Sequence, residues 1–412
     1  MIIEPKVRGF ICTTAHPIGC RANVANQIDY AKEQRKTLSS HSVNSPKKAL
    51  IIGSSTGYGL ATRISLAYTY QASTIGVMYE KEATGTRTAT AGWYNTAAFE
   101  SFAGNDGLYA QTINGDAFSR EIKEETIAKI KRDLGKVDMV IYSLAAPRRT
   151  MADGTVFSSV LKATTDTFVS KSLDLRHNTI EEASIPTATE EEISATIKVM
   201  GGEDWAEWID ALVSNDAIED NAITVAYSYI GPELTYPIYK EGTIGHAKAH
   251  LHETANLITK EYANHGIHAY ISVNKALVTQ ASAAIPVVPL YISLLYKVQK
   301  ELGTHEGCIE QISRMFTDKL LLPVPKVDSS GLLRLDDYEL DSKVQDQINA
   351  IWNEIATENI TEIADIAGYW DDFYTMFGFK IPGVNYSEDV DPSVAIPSFC
   401  LLYTSPSPRD TE

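Results

Sequence analysis

Short apolar, β-branched runs alternate with longer stretches of helical periodicity over most of the chain, and few folds accommodate that pattern. The runs fall at residues 49–52, 73–78, 108–113, 137–143, 222–229 and 268–273, and helical patterns at 58–70, 120–134, 247–262 and 281–302 lie among them. The runs are short and predominantly apolar, without a regular alternation of apolar and polar positions, so each strand is expected to be buried. Parallel strands require crossover connections long enough to hold a helix, which the intervening stretches supply. The expected fold class is therefore α/β: a Rossmann-type doubly wound parallel sheet with helices on both faces.

The remaining segments read as additions to one core spanning 1–399. Residues 1–45 suggest an N-terminal hairpin and helix. The strand–helix rhythm breaks at 147–192, read as an insertion near the active site carrying a small β-hairpin and ending in the acidic helix start Thr187-Ala-Thr-Glu-Glu-Glu-Ile. Residues 303–395 form an appended helical C-terminal layer with a hairpin expected around Ser329-Ser-Gly331. The stretch Cys400-Leu-Leu-Tyr-Thr-Ser-Pro-Ser-Pro-Arg-Asp410 resembles a translated sequencing adapter, so 400–412 is set aside as an adapter-derived or disordered tail.

Composition narrows the partners. The net charge of -17 over 412 residues argues against a general nucleic-acid binder, whose affinity rests on neutralising phosphates. No apolar run is long enough for a bilayer and the first residues lack a secretory layout, so no membrane association and a cytoplasmic location are expected. Four cysteines in so long a chain do not make a disulfide framework, which fits a reducing compartment.

The first strand runs directly into Gly53-Ser-Ser-Thr-Gly57-Tyr-Gly59, with a helix after it. Glycines there permit the tight strand-to-helix turn and let backbone amides approach a pyrophosphate. Gly53, Ser54, Gly57, Tyr58 and Gly59 are thus candidate dinucleotide ligands. Glu80 ends the second strand, where a carboxylate can bind both ribose hydroxyls of NADH and repel a 2'-phosphate. Lys81 and Arg87 keep NADPH open, but NADH is the favoured cofactor. Asp116 and Ala117 follow the third strand, and Ser143, Leu144 and Ala145 the fourth, both along the same crevice.

The chemistry is expected on the other side of that crevice. Tyr229 ends the fifth strand, and Tyr239 follows, separated by eight residues from Lys248. A cation near a phenol stabilises the phenolate and can make the tyrosine an acid at neutral pH. On one continuous helix the two would stand roughly 13 Å apart along the axis. Gly242 and Gly245 disfavour helix there, and Thr243 is a plausible N-cap, so Tyr239 is expected in a loop folded back over the first helical turns, where Lys248 points. After the sixth strand, Leu277, Val278 and Thr279 would lie beside the nicotinamide. The small apolar stretch 281–290, with Ala283, Ile285 and Pro286, fits a lid over an acyl chain.

This constellation resembles the trans-2-enoyl-CoA reductases and the related V-type enoyl-ACP reductases, within the extended short-chain dehydrogenase superfamily. The resemblance covers the chain to about residue 387. Beyond the glycine turn it rests on Ile11-Cys-Thr-Thr-Ala-His-Pro-Ile-Gly-Cys20, Gly92-Trp-Tyr-Asn95, Gly115-Asp-Ala-Phe-Ser119, Val199-Met-Gly-Gly-Glu-Asp-Trp205, Ala226-Tyr-Ser-Tyr-Ile-Gly-Pro232 and His305-Glu-Gly-Cys-Ile-Glu-Gln311. It implies NADH-dependent reduction of an enoyl-CoA or enoyl-ACP, an acyl-CoA or acyl-ACP substrate, a role in fatty acid metabolism and a monomer. It also implies that Tyr239 serves the enolate, that Lys248 holds the nicotinamide ribose, and that Tyr229 is a second orienting donor. A lysine common in the family two positions before the catalytic lysine is His246 here, which removes a fixed charge.

Other readings compete. A carbonyl or alcohol dehydrogenase could use the same Tyr–Lys pair on a non-thioester substrate, and a non-enzymatic NADH sensor could retain the fold. Tyr296-x3-Lys300 matches the short-chain dehydrogenase spacing but lies in a helical run after the sixth strand, where an exposed helix face is expected. Cys12, His16 and Cys20, with His305 or Cys308, suggest a metal site, but their spacing is not that of a zinc knuckle and no metal is expected. Arg148 and Arg149 are candidates for phosphate contacts or for solvated loop cations.

Overall fold

A computed structural model describes residues 1–8, 11–38, 46–280, 282 and 285–400. Its centre is a seven-stranded sheet with every pairing parallel. The strands are β1 (Lys48–Ile52), β2 (Ser73–Met78), β3 (Ala110–Asn114), β4 (Val137–Tyr142), β5 (Ile218–Ser228), β6 (His268–Val273) and β7 (Leu332–Arg334), in spatial order 7-6-5-4-1-2-3. The order reverses direction between β1 and β4, and in open α/β sheets the crevice outside the strand ends at such a switch point takes the ligand.

The helices are α1 (Pro17–Thr37), α2 (Gly57–Tyr68), α3 (Ala91–Asn105), α4 (Arg120–Asp133), α5 (Glu190–Met200), α6 (Glu203–Ser214), α7 (Thr243–Glu261), α8 (Val288–Leu302), α9 (Cys308–Met315), α10 (Ser342–Glu354) and α11 (Ile366–Met376). Alternate residues of β1 show how the layers form. Ala49 and Ile51 pack with Leu60, Ile64 and Phe99 of α2 and α3, whereas Leu50 and Ile52 pack with Trp205, Trp208 and Leu251 of α6 and α7. Covering both faces requires apolar residues at every position, which is why β1 reads as an unbroken apolar run.

The inserted region holds two antiparallel hairpins, Arg148–Thr150 with Val156–Ser158 and Phe168–Asp174 with Thr179–Ile185. The acidic helix start is realised as a capping box, in which Thr189 and Glu192 satisfy each other's backbone amides ahead of α5. The hairpin expected around Ser329-Ser-Gly331 is not there. Gly331 turns the chain at φ +79° with Asp328 accepting from Ser330 N and Leu332 N, and Leu332-Leu333 then adds to β6 as a seventh parallel strand. An apolar edge beside β6 is a stronger partner for two leucines than a solvated turn. The helix expected from 281 begins at Val288, where Pro289 occupies the first turn and its missing N–H leaves no bond unmade. Residues 401–412 lie outside the described residues.

Candidate active site

The C-terminal ends of β1, β4, β5 and β6 open onto a cleft of about 440 Å³ lined by Gly53, Ser55, Thr56, Gly57, Tyr58, Glu80, Ser143, Leu144, Ala145, Tyr229, Tyr239, Lys248, Leu277, Thr279 and Ile285, among others. Residues distant in sequence meet there because parallel strands deliver all their following loops to one edge.

At one end the strand-to-helix turn is built as the glycine spacing predicts. Gly53 sits at φ +84°, and a methyl group on Gly59 would collide with the Gly53 carbonyl. The turn is braced by Asn95, whose side-chain amide donates to Ser55 O at 3.2 Å. Ser55 Oγ donates to Glu80 Oε1 at 2.6 Å, and Glu80 exchanges backbone–side-chain bonds with Asn114. Gly92 lies so close to the Glu80 carboxylate that any side chain there would displace it. Tyr58 lines the cleft and donates to Lys275 O at 2.9 Å. A second cavity of about 420 Å³ adjoins the turn through Thr56, Gly57, Leu277, Thr279 and Gln280.

At the other end Tyr229 follows β5 directly, and Tyr239 lies between a short 3-10 turn (Glu233–Thr235) and α7. The two rings meet edge to face, 4.7 Å between centroids at 81°. Lys248, on the second turn of α7, donates to Tyr227 O at 3.1 Å. The N-cap of α7 is Gly242, not Thr243. The Thr243 hydroxyl is instead engaged with the insertion, donating to Val160 O and accepting from Lys162 N.

The electrostatics differ from the sequence expectation. Burial, followed by the negative charge of Glu339, pushes the Tyr239 phenol well above its usual value, and Lys248 does not offset this. Burial lowers the Lys248 ammonium to about 8. Tyr239 is therefore held as a neutral phenol, and the amine of Lys248 titrates closer to neutrality than a free lysine. The same burial and Glu339 raise Tyr229 strongly.

Several candidates lie off the cleft. Ser54 is buried, with both its amide and its hydroxyl bonded to Val77 O. Ala117 is packed in the core under Trp208, whose indole donates to Ala117 O, and Asp116 accepts from Phe118 N in its own turn. Neither residue lines the cleft. Val278 lines the adjoining cavity. Pro286 does not line the cleft, whereas Ile285 and Val288 do. Ala283 lies outside the described residues. Thr279 is oriented by reciprocal hydroxyl bonding with Ser282. His246 is exposed on the first turn of α7.

The readings of Tyr296 and Arg149 are corrected. Tyr296 is not on an exposed face: it is fully buried and donates to Asp372 at 2.6 Å, because α8 is packed among the inserted hairpin strand Phe168–Asp174, α10 and α11. Lys300 points outward to Asp365. Arg149 is buried against Glu203 and Glu207 and has no guanidinium face left for a phosphate. His16 caps α1 by accepting from Gly19 N, and Cys12 Sγ donates to Thr14 O. Among the described residues no three His, Cys, Asp or Glu side chains gather in a metal-holding group.

Two residues of the site escaped the sequence reading. Lys275 is buried beside the cleft, with its ammonium on Gln299 and its value lowered by burial. Glu339 arrives from the C-terminal layer to hold Tyr229. It sits in the run Asp336-Asp-Tyr-Glu339, which reads as a solvated acidic loop, and no local signal marks it.

Comparison with known proteins identifies the family. Residues 87–321 match the trans-2-enoyl-CoA reductase catalytic region, 2–85 the NAD(P)H binding domain of trans-2-enoyl-CoA reductase, and 327–390 the enoyl reductase FAD binding domain. The trans-2-enoyl-CoA reductase [NADH] of Ruminiclostridium cellulolyticum is 52% identical over 96% of this chain and 99% of its own. The enoyl-[acyl-carrier-protein] reductase [NADH] of Flavobacterium johnsoniae is 54% identical over 97% of this chain and 100% of its own. The crystal structure of the Clostridium acetobutylicum trans-2-enoyl-CoA reductase with NADH superposes with a TM-score of 0.91 at 47% identity, covering 95% of this chain and 98% of that one.

A flavin does not fit residues 327–390. The segment has no glycine turn between strand and helix, and the N-terminus of α10 that follows β7 is already capped by the Asp341 carboxylate, which would repel a pyrophosphate. Gly368, in α11, is packed against Asp365 and Lys300. The glycine turn at Gly53 has the chemistry that suits a dinucleotide better, and over nearly its whole length the chain belongs to the trans-2-enoyl-CoA reductase family.

Proposed function

We propose that this protein reduces the α,β double bond of a trans-2-enoyl thioester with NADH, giving the saturated acyl thioester for fatty acid metabolism. The observation that carries the reading is the meeting of Tyr239 and Lys248 with the glycine turn and Glu80 around one cleft. Gly53, Gly57 and Gly59 would receive the pyrophosphate, Glu80 the adenosine ribose hydroxyls, and Ser143, Leu144, Ala145, Leu277 and Thr279 the nicotinamide half. NADH, when bound, supplies the hydride that the β-carbon takes up.

The chain's own residues handle the charge that this addition places on the thioester oxygen. A neutral Tyr239 donates a hydrogen bond to that oxygen, which grows stronger as the enolate forms, and can pass it a proton to give the enol, which becomes the saturated thioester when the α-carbon takes up a proton and the oxygen releases one. Being buried, the phenol keeps its proton until a developing anion draws on it. Lys248 holds the nicotinamide ribose and lends positive charge at the moment Tyr239 gives up its proton. Ile285 and Val288 offer an apolar wall to the acyl chain.

A monomer in a reducing, cytoplasmic setting, without nucleic-acid or membrane partners, completes the proposal. In support of it, Cys12, Cys20 and Cys308 are free thiols. No helix among the described residues is long and apolar enough to cross a membrane.

The test is NADH consumption with crotonyl-CoA against a matched ketone, then with the corresponding acyl-ACP. Turnover with the thioester and none with the ketone is expected; preference for the ketone would favour a carbonyl reductase. The ratio of CoA to ACP turnover assigns the carrier.

A further inference from the structure

Glu339 is 0% exposed, lodged between the reaction centre and the C-terminal layer. Its Oε1 accepts from Tyr229 Oη at 2.9 Å and from Tyr291 Oη at 2.7 Å, and its Oε2 accepts from Ala276 N at 2.7 Å. With the carboxyl ionised, two of these polarities follow from the partners themselves. A backbone N–H only donates. Tyr291 oxygen already receives Gln345 Nε2 at 3.2 Å, so its single proton is directed at Glu339. The same Gln345 amide donates to Glu339 O at 2.6 Å, tying the acid's backbone to α10.

The third polarity bears on the chemistry. A phenol has one proton, and that of Tyr229 is aimed at Glu339. Its oxygen lone pairs are what remain for the cleft and for Tyr239, whose ring abuts Tyr229 edge to face.

We propose that Glu339 is a positioning residue of the reaction centre: by accepting the Tyr229 proton it makes Tyr229 a hydrogen-bond acceptor toward the cleft and leaves Tyr239 the sole phenolic donor to the thioester oxygen. This rests on the enoyl thioester reading above and revises the role of second orienting donor that family resemblance implies for Tyr229. The anchor is rigid because it joins three separate segments: the end of β5, the loop after β6 and the entry to α10. Burial raises the carboxyl, and the three donors act in the opposite sense, favouring the ionised acceptor.

Glu339→Gln tests the polarity with almost no change of shape. The amide must keep its oxygen on Ala276 N, so its NH2 faces the phenols and donates to Tyr229. The Tyr229 proton is then released toward the cleft, where it competes with Tyr239 for the thioester oxygen already in the ground state. The expected result is a kcat lower by about tenfold, with KM for crotonyl-CoA not raised and with NADH affinity and melting temperature close to wild type. The loss should vanish in a Tyr229→Phe background, because the hydroxyl through which Glu339 acts is gone. Wild-type kcat in E339Q, or a loss that persists in full in the Y229F background, would overturn the proposal. If E339Q does not fold, Glu339→Leu, which likewise cannot accept the Tyr229 proton, replaces it in the same cycle, under the same two refuting outcomes. A wild-type enzyme that does not oxidise NADH with crotonyl-CoA would refute the functional reading itself, whereas an active wild type with an unaffected E339Q refutes only the role of Glu339.

Discussion

Lys248→Met should weaken the pH dependence of stability while removing most activity, because the structure holds this ammonium at a cost. Its value falls from 10.5 to about 8 on burial, and among the described residues no carboxylate offsets the shift. That interval corresponds to about 3 kcal/mol of preference for the neutral amine. The side chain is only partly buried, so solvent screening reduces the usable figure to roughly 1–2 kcal/mol. The sign follows from linkage. A lysine lowered on folding imposes its full penalty below the folded value of about 8, and the penalty fades between there and the unfolded value of 10.5. Methionine carries no charge, so relative to wild type the variant should gain stability by roughly 1–2 kcal/mol more at pH 7 than near pH 10. The hydrogen bond from Lys248 to Tyr227 O is lost at both pH values and leaves the difference intact.

Urea denaturation of wild type and K248M at intervals from pH 7 to 10 measures this directly, with the difference in midpoint at constant slope as the readout. A mutant-minus-wild-type difference that is flat with pH, or that favours wild type most at pH 7, would refute the reasoning. Cofactor binding adds an independent check. The anionic dinucleotide brings negative charge into the cleft and lifts the amine, so wild type should take up a fraction of a proton on binding NADH at pH 8. Calorimetry in buffers of different ionisation enthalpy would detect that uptake in wild type and its absence in K248M.

Other outcomes follow from the same geometry. Tyr239→Phe should retain NADH binding, followed by fluorescence, and lose about 10²–10⁴-fold in turnover of crotonyl-CoA; near wild-type turnover would sink its assignment as donor. Glu80→Ala removes the carboxylate held by Ser55 Oγ and should raise the NADPH-to-NADH ratio of kcat/KM about tenfold or more by ending repulsion of a 2'-phosphate. Gly59→Ala drives a methyl group into the Gly53 carbonyl and should cost about 1–3 kcal/mol in denaturant titration and weaken NADH binding together, since both depend on the same turn.

The local and the global were unequally legible. β2 and β6 occupy the residues that their runs mark; β2 is buried along nearly its whole length, and β6 is buried over its C-terminal half, Ile271 to Val273. The glycine turn was equally visible, since its backbone contacts exclude any side chain at Gly59. Thr243 misled because a threonine before an apolar-periodic run looks like an N-cap, whereas its hydroxyl is engaged by Val160 and Lys162, some 80 residues earlier in sequence. Tyr296 misled in the same way: helical periodicity reports one buried face, and α8 is covered on nearly all sides.

From the order of residues alone came the alternation that dictates a parallel sheet, the dinucleotide turn, and the Tyr239–Lys248 spacing that sets the phenol in a loop ahead of its helix. These are short-range properties, written in period, turn chemistry and chain reach. Tertiary structure alone decided the protonation behaviour of the site. Burial and the Glu339 carboxylate raise Tyr239, and burial lowers Lys248, the reverse of what their proximity in sequence suggested. Desolvation and long-range charge depend on what packs around a group. Glu339 lies a hundred residues from Tyr239 along the chain and beside its aromatic partner Tyr229 in the fold.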